Sequence, residues 1–541
     1  MAEKTATASA PASVAAAFAP VYEQGARKWI ITITVICCAL LELIDTSVVN
    51  VALTQLMGNL GATLSEVSWV IAAYGIANVI IVPMAGWLSL KFGRTRYFAA
   101  SIILFTVASI LCGTSTNIWE LVFFRFMQGI GGGALLATSQ SILFETFPPH
   151  ERGLAGAMYG MGVVIGPTLG PTIGGYIVDN YDWPWIFFVN VPIGIIATIL
   201  TIYYIKDPGY AKALRAKMRG IDFPGIFLLI LGVGNLQMVL EQGEREDWFH
   251  TPYITVCTIA AVIGVVGFIW RELTAENPIV DLKVLKNPSL AIGTLLSFIL
   301  GFGLFGSVFI IPVFSQQILG FTALQTGQML IPGAIATGFM MPIVGRLIGA
   351  GVSQKIMIPI GFFLFFVFTV MLYNIITPFS GTDDFFYPLL VRGFGLGLIF
   401  VPLTTLSLST LKGQEIAQGA GLTAMIRQLG GAFGVAILST YLQVKAAGHR
   451  NDLLAYVGSG DPAVTSRLAG LKASFMSKGF DSLRATQQAY QALEGMLTRQ
   501  AMMLTFMDVF LFLGMFFICC IPLVLLIRKG KAKISMDDAG H

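Results

Sequence analysis

The amino-acid sequence predicts an all-α polytopic membrane protein with fourteen transmembrane helices. Of its 541 residues, 55% are hydrophobic and only 11% are charged, whereas an ordinary soluble domain carries about 25% charged residues. Apolar stretches of about 20 residues, the length that crosses a bilayer, recur along the whole chain. Lys and Arg are concentrated in alternate loops between these stretches.

The apolar stretches define the predicted spans in chain order. They lie at 29–53, 67–89, 97–115, 119–143, 154–178, 185–205, 223–241, 253–270, 289–316, 325–348, 356–376, 386–410, 420–442 and 503–527.

The charges in the loops predict the orientation of these spans, because short cytoplasmic loops carry an excess of Lys and Arg. With the N-terminus in the cytoplasm, the opposite short loops contain only Arg245. Both ends of the chain are therefore expected in the cytoplasm. The cytoplasmic short loops contain fifteen basic residues: Lys91, Arg94, Arg96, Arg152, Lys206, Lys212, Arg215, Lys217, Arg219, Arg271, Lys283, Lys286, Arg346, Lys355 and Lys412.

Other features of the composition exclude several classes of protein. Residues 1–28 are predicted to be a disordered cytoplasmic tail rather than a signal peptide, because the apolar stretch that follows is too long for one. All six cysteines lie in or at the ends of apolar spans, so no disulfide framework is expected. The net charge of +4 reflects the bias of the inner loops and does not indicate nucleic-acid binding. No residue is expected to be catalytic or to ligate a metal.

The chain shows an internal duplication. A Pro-x-x-Gly pattern closes span 2 at Pro83 and span 10 at Pro342. A glycine-rich segment follows Arg125 in span 4 and Arg392 in span 12. Transporters built from two six-helix halves bind their substrate between the halves near the middle of the membrane.

This repeat predicts the domain organisation. Two extra spans separate two six-helix bundles, and spans 13 and 14 are joined by a long periplasmic loop, 443–502, whose apolar spacing indicates amphipathic helices. That loop is either a lid on the bundle or a docking surface for a partner. The predicted parts are a tail (1–28), a first bundle (29–205), a linker with two extra helices (206–271), a second bundle including the loop (272–527) and a cytoplasmic tail (528–541).

Ionisable residues inside the predicted spans are the main candidates for function, because such residues are costly in a membrane. Glu42 and Asp45 are three residues apart on one face of span 1. Desolvation favours the neutral form of a carboxylate, which suits a group that takes up and releases a proton or that binds a cationic substrate. Arg125 is expected either to tune such an acid or to clamp two helices together.

Two further arginines, Arg392 and Arg427, lie in spans 12 and 13 and also need buried partners, since arginine stays charged. Span 5 carries small residues every four positions and two prolines, a pattern that allows close helix approach and kinks. This run is interpreted as a seal or hinge between the halves, with simple close packing as the alternative. Its members are Gly162, Gly166, Pro167, Gly170, Pro171, Gly174 and Gly175.

Several of these segments resemble one known family. From about residue 28 to 527, the chain is similar to the fourteen-span drug:proton antiporters of the major facilitator superfamily (EmrB/QacA type), and most similar to the EmrB branch. The first-helix signature ends in Thr54 where the family usually has Pro, and the loop motif has Leu90 where it usually has Asp. The matching segments are 43–53, 86–94, 121–129, 162–175, 183–194, 236–249 and 277–282.

This resemblance implies the major facilitator fold and assigns roles to some residues. Arg125 and Gln128 belong to the fourth-helix motif linked to proton transfer, and Gly86, Gly93 and Arg94 belong to the cytoplasmic loop motif. It also implies a location in the inner membrane of a bacterium and small lipophilic or cationic substrates. A periplasmic adaptor (membrane fusion protein) and an outer-membrane channel are the partners that it implies. Protons would be the coupling ion, and no other cofactor is implied.

The sequence therefore predicts a secondary active transporter, not an enzyme, that exports amphipathic or lipophilic compounds in exchange for protons. Nothing in the chain matches the phosphate-binding loop of ATP-driven pumps. A dedicated exporter of one metabolite, such as a fatty acid or a siderophore, is the alternative. A membrane sensor or scaffold would need a sizeable soluble output domain, and no cytoplasmic segment is long enough for one.

Overall fold

The computed structural model describes residues 23–209, 211, 215–216, 220–458 and 461–526. Most of the predicted tail 1–28, the whole of the tail 528–541 and the loop residues Lys212, Lys217 and Arg219 lie outside this part. Within it, fourteen helices are long and apolar enough to cross a membrane. They are numbered α1 to α14 below. The basic end of the bundle is the end with the turns at 93, 151 and 351, and the loop end is the opposite one.

Six helices form the first bundle. In it, α2 packs against α4, α1 packs against α5, and α3 packs against α4 and α6. Polar side chains start two of these helices: Thr63 and Glu66 form a capping box at α2, and Asn117 accepts from the backbone N–H of Glu120 at α4. The helices are α1 Gly25–Leu60, α2 Leu64–Phe92, α3 Arg94–Gly113, α4 Ile118–Thr146, α5 Arg152–Asn180 and α6 Asn190–Tyr204.

The two extra helices, α7 Phe223–Gln242 and α8 Pro252–Thr274, lie at the side of the bundle. They meet where a Cβ on Gly232 would lie 2.5 Å from the backbone N of Val265, and α7 has a π-helical turn there, Ile230–Gly234. The loop end of α7 and the turn after it contact both halves. Ser68 of α2 donates to Gln242 over 3.1 Å, and Trp248 of the turn donates to Thr440 of α13 over 3.1 Å. The insertion therefore bridges the two bundles.

Six further helices form the second bundle around a core rich in phenylalanine. Rings stack in pairs such as Phe302 with Phe516 and Phe365 with Phe517, each with centroids 4.2 Å apart. The helices are α9 Pro288–Gln317, α10 Ala323–Gly349, α11 Gln354–Ile375, α12 Phe386–Leu408, α13 Gln414–Leu454 and α14 Ser482–Cys520.

The segment predicted as a long loop, 443–502, is mostly helical. α13 continues to Leu454, a separate helix spans Pro462–Ser477 (the loop helix), and α14 already begins at Ser482. Arg450 of α13 pairs with Glu494 of α14 over 2.8 Å. The two helices extend beyond the predicted spans because an apolar window detects only the part of a helix that crosses lipid.

The two bundles meet along α5 with α10 and along α2 with α13. At the basic end, a Cβ on Gly153 would lie 2.7 Å from the carbonyl oxygen of Gly345. Arg152 donates to the carbonyl of Ser409 over 2.8 Å at the same end. Such close approach leaves no room for a passage between these helices at the basic end.

Candidate functional site

The centre of the first bundle contains a buried ion pair. Arg125 Nη1 of α4 lies 2.5 Å from Asp45 Oδ2 of α1, and neither side chain has any exposed surface. Removing two such charges from water costs several kcal/mol each, and the pair persists only if further hydrogen bonds satisfy its remaining atoms. The structure thus brings together Asp45 and Arg125, both of which were predicted as functional residues.

Amide side chains complete the surroundings of the carboxylate. Gln128 Nε2 and Asn190 Nδ2 donate to Asp45 Oδ1 over 2.9 Å and 2.7 Å. Gln128 also accepts from Arg125 over 2.7 Å and donates to Ser109 over 2.7 Å. Both oxygens of the Asp45 carboxylate therefore have hydrogen-bond donors.

Asn190 and Ser109 were not among the predicted site residues. Asn190 lies in a segment that carries the family resemblance, so a signal for it existed. Ser109 is a single small polar residue in an apolar helix and offered none. The packing of α3 and α6 against α1 and α4 brings both residues to the ion pair.

The guanidinium group of Arg125 is only partly hydrogen-bonded. Its Nε donates to the carbonyl of Val70 over 3.2 Å, and its carbon lies 4.2 Å from the ring centre of Tyr74. Its Nη2 has no partner in the described residues. The charge is therefore held mainly by Asp45 and the aromatic face, so that a change in the charge of Asp45 would leave Arg125 without its main partner.

Glu42 is buried at a different place on α1. It is 3% exposed and accepts from Asn78 Nδ2 of α2 over 2.9 Å, while its Oε2 has no partner in the described residues. Glu42 and Asp45 were expected on one helix face, and both do point into the protein. They nevertheless contact different helices and form separate centres.

The glycine run of α5 packs mainly against α1 of the same bundle. A Cβ on Gly166 would lie 2.8 Å from that of Leu43, and one on Gly170 would overlap Ser47. Gly162 and Gly174 also face α1. Gly175 faces α10 instead, where an added Cβ would lie 2.9 Å from the backbone N of Leu324. Pro167 and Pro171 are buried within the same helix.

The close contacts of α5 with the second bundle at the basic end involve three other glycines. Gly153 lies against Gly345, Gly156 against Thr405, and Gly160 against Phe400. These glycines were not among the predicted residues, although they form another series of small residues spaced three and four apart. Both faces of α5 therefore bear small residues, and the predicted run lies mostly on the face inside the first bundle.

The loop motif occupies the basic end. Gly93 has a φ of +95°, and a Cβ there would lie 2.9 Å from Asp207, so this turn favours glycine. Arg94 pairs with Glu145 over 2.7 Å. A Cβ on Gly86 would lie 3.0 Å from the backbone of Ala417 in α13, which places this motif at the junction of the bundles.

Arg392 and Arg427 are buried in the second bundle, at 2% and 3% exposure. Arg392 Nε donates to Ser307 over 3.1 Å. Arg427 Nη2 donates to Tyr159 of α5 over 3.3 Å, and its guanidinium lies 5.3 Å from the ring centre of Phe400. Arg427 thus contacts the first bundle directly.

The profile of the Major Facilitator Superfamily matches residues 35–435, more than half of the chain. The chain belongs to the Major Facilitator Superfamily. Among curated relatives, the multidrug export protein EmrB of Escherichia coli K12 is 35% identical over 454 residues, covering 83% of this chain and 87% of that protein. The protein is therefore an EmrB-type drug transporter of this superfamily, as the resemblance predicted.

Other relatives are named for resistance to particular compounds. The fatty acid resistance protein FarB of Neisseria gonorrhoeae is 32% identical over 523 residues, covering 96% of this chain and 99% of that protein. The colistin resistance protein EmrB of Acinetobacter baumannii is 29% identical, covering 93% of this chain and 97% of that protein. The superfamily member described here is thus similar to several resistance proteins over nearly its full length.

Two solved structures show the same fold. The human organic anion transporter MFSD10 has a TM-score of 0.55 at 14% identity, covering 77% of this chain and 94% of that chain. The proton:xylose symporter XylE has a TM-score of 0.55 at 16% identity, covering 78% of this chain and 89% of that chain. These neighbours confirm the major facilitator fold, with α7 and α8 as additions to its two six-helix bundles.

Proposed function

We propose that this transporter exports amphipathic or lipophilic drugs and toxic compounds in exchange for protons, by alternating access across the bacterial inner membrane. The observation that carries the proposal is the buried pair of Asp45 and Arg125, with Gln128 and Asn190 on the same carboxylate. Intramembrane ionisable groups that pair with each other commonly belong to proton relays.

The geometry suggests how protonation of Asp45 would act. In the ionised state, Asp45 holds α1 to α4 through Arg125 and to α6 through Asn190. A proton on the carboxylate would weaken these charged hydrogen bonds, which are roughly twice as strong as neutral ones. Since α1 also packs against α5 along its glycines, a loosened α1 can shift the helix that meets the second bundle.

The contacts between the bundles support an alternating mechanism. The seam is tightly closed at the basic end. We propose that this end and both termini lie in the cytoplasm, because the short loops there carry most of the Lys and Arg. Buried polar atoms without partners among the described residues lie on α4 and α12 in the same region, at Ser139, Gln140 and Thr405. Such groups would gain water or substrate as partners when the seam opens there.

The available driving force is adequate for such export. One proton crossing 100 mV releases about 2.3 kcal/mol. At about 1.4 kcal/mol per tenfold concentration ratio, this sustains roughly a forty-fold gradient from the potential alone.

A dedicated exporter of one lipophilic metabolite, such as a fatty acid, remains a second candidate. It is favoured by the similarity to FarB over nearly the whole of both chains. A deletion strain with a narrow susceptibility profile would support this candidate, and a broad profile against dyes, uncouplers and antibiotics would support multidrug export.

We also propose that the protein is the pump of a tripartite system with a periplasmic adaptor and an outer-membrane channel. The loop end supports this, because α13, the loop helix and α14 extend a largely exposed helical surface beyond the apolar spans. The expectation of these partners comes from the resemblance of the sequence to the EmrB branch.

The Asp45→Asn substitution tests the coupling. The variant should express and bind drug, but a proton gradient should no longer drive drug accumulation in proteoliposomes, because the neutral amide cannot carry a proton. Asp452→Asn is the matched control, since Asp452 is an exposed carboxylate on α13. Gradient-driven uptake by Asp45→Asn at the wild-type rate would contradict the role of Asp45.

A further inference from the structure

The buried charge of the second bundle is entirely positive in the described residues 288–526. Arg392 and Arg427 are the only charged side chains buried there. No carboxylate of the described chain lies within 4.0 Å of either guanidinium. The first bundle differs, because its Arg125 is neutralised by Asp45.

The internal repeat shows where the missing acid would be. Arg125 of the fourth helix pairs with Asp45 of the first helix in the first bundle. Arg392 of the corresponding helix, α12, donates to Ser307 of α9, the first helix of the second bundle. Ser307 therefore has the place that Asp45 has in the first bundle, and its hydroxyl cannot neutralise the arginine.

Arg427 is the unneutralised cation at the seam. Its protein partners are the hydroxyl of Tyr159 and the ring of Phe400, and its Nη1 has no partner in the described residues. Glu42 across the seam is close enough to act on it electrostatically, but Glu42 is bound by Asn78 and forms no ion pair with it.

A buried charge is normally paired, and arginine cannot lose its charge at physiological pH. A planar guanidinium with a free N–H is suited to an oxyanion such as a carboxylate or a sulfonate. Aromatic and apolar side chains also lie near Arg427: Tyr159 and Phe400 have ring centres 6.2 Å apart, and Met341 lies beside Gly160.

We propose that Arg427 binds the anionic group of the transported substrate, with the uncompensated charge of Arg392 adding to the attraction. The substrate class is then an amphipathic organic monoanion, whose apolar body packs on Tyr159 and Phe400. This inference rests on the proposed export function. It assigns anion recognition to the second bundle and leaves the acids to the first.

The experiment measures equilibrium binding to the purified full-length protein without a proton gradient. The probes are a naphthalene monosulfonate and ethidium, which are permanently charged and of opposite sign. Arg427→Gln should weaken sulfonate binding about tenfold, equivalent to about 1.4 kcal/mol, and change ethidium binding by less than about twofold. The loss of sulfonate affinity in Arg427→Lys should be smaller than in Arg427→Gln. The exposed Arg467→Gln variant should bind both probes like the wild type.

A second pair of variants keeps the test valid if Arg427→Gln fails to fold. Ser307→Asp supplies an internal carboxylate for Arg392 and should selectively weaken sulfonate binding, whereas the neutral Ser307→Asn should not. Equal effects on both probes, or no effect, would overturn the proposal. Arg427-dependent stabilisation by chloride with no sulfonate binding would also overturn it in favour of an inorganic-anion site.

The outcome is independent of transport. The wild type could bind the sulfonate through Arg427 and yet transport no substrate when a proton gradient is applied. In that case the proposed export function is contradicted and the anion site stands. If proton-driven export occurs and sulfonate binding does not depend on Arg427, only the anion site is contradicted.

Discussion

At the scale of single residues, the carboxylate of Asp45 is held by three donors from two different helices. Arg125 and Gln128 come from α4, and Asn190 comes from α6. Two of these partners follow from a sequence motif, while Asn190 joins them because α6 folds back onto α1.

The contribution of Asn190 can be isolated by a double-mutant cycle. Asn190→Leu should lower the free energy of unfolding by about 1.5–3 kcal/mol, the worth of a hydrogen bond to a charged group. The cost should be much smaller in an Asp45→Asn background, where no charge remains to be satisfied. Thermal stability in detergent is the measurement.

The control for this cycle is Asn180→Leu, since Asn180 is exposed and donates only to Tyr176 of its own helix. Strictly additive costs of Asn190→Leu and Asp45→Asn would show that Asn190 does not act through the carboxylate.

At the scale of helices, α5 depends on small residues on two faces. The face with Gly166 and Gly170 packs on α1, and the face with Gly153 and Gly160 packs on the second bundle. A helix with such contacts on both sides can transmit a movement of α1 to the seam.

The fit of α5 on α1 predicts a contrast between two conservative substitutions. Gly170→Ala would place its methyl group against Ser47, so we expect a loss of about 1–3 kcal/mol of stability from overpacking. Gly162→Ala should be tolerated, because its methyl group would lie 3.6 Å from Ile36, an ordinary contact. Melting temperatures of the two purified variants test this, and equal values would contradict the described packing.

The extra helices α7 and α8 also belong to this scale. Hydrophobic side chains of α8, such as Val256, Val262 and Val266, are exposed on the surface of the protein, as expected of a helix that faces lipid. α7 and the turn that follows it instead join α2 to α13, through Gln242 and Trp248. The insertion is therefore a bridge between the bundles at the loop end, a role that its sequence did not indicate.

At the scale of the whole molecule, the two halves share a fold and differ in their buried charges. The first bundle contains Glu42 and Asp45 with Arg125, and the second contains Arg392 and Arg427. This difference supports a division of tasks between proton coupling and recognition of a negatively charged group.

The proposed tripartite assembly is tested at this scale. Deletion of the loop helix, Pro462–Ser477, should lower drug resistance of whole cells at least severalfold, because the adaptor would lose part of its docking surface. Transport by the same variant in proteoliposomes should be unchanged, since this helix has no buried residues in the bundle. Undiminished resistance of the cells would argue against docking at this helix.

The sequence alone determined the membrane class, the fourteen spans, the family and the residues of the central ion pair. These properties depend on local quantities: the length of an apolar stretch, the sign of loop charges and short motifs around Asp45 and Arg125. Each can be recognised without knowing which helices touch.

Only the tertiary structure decided which partners meet. It brought Asn190 and Ser109 to the ion pair, placed most of the glycine run of α5 against α1, and left Arg392 with Ser307. The faces at which helices meet depend on the packing of the whole bundle, because every helix here is apolar on most sides and its own periodicity does not select a neighbour.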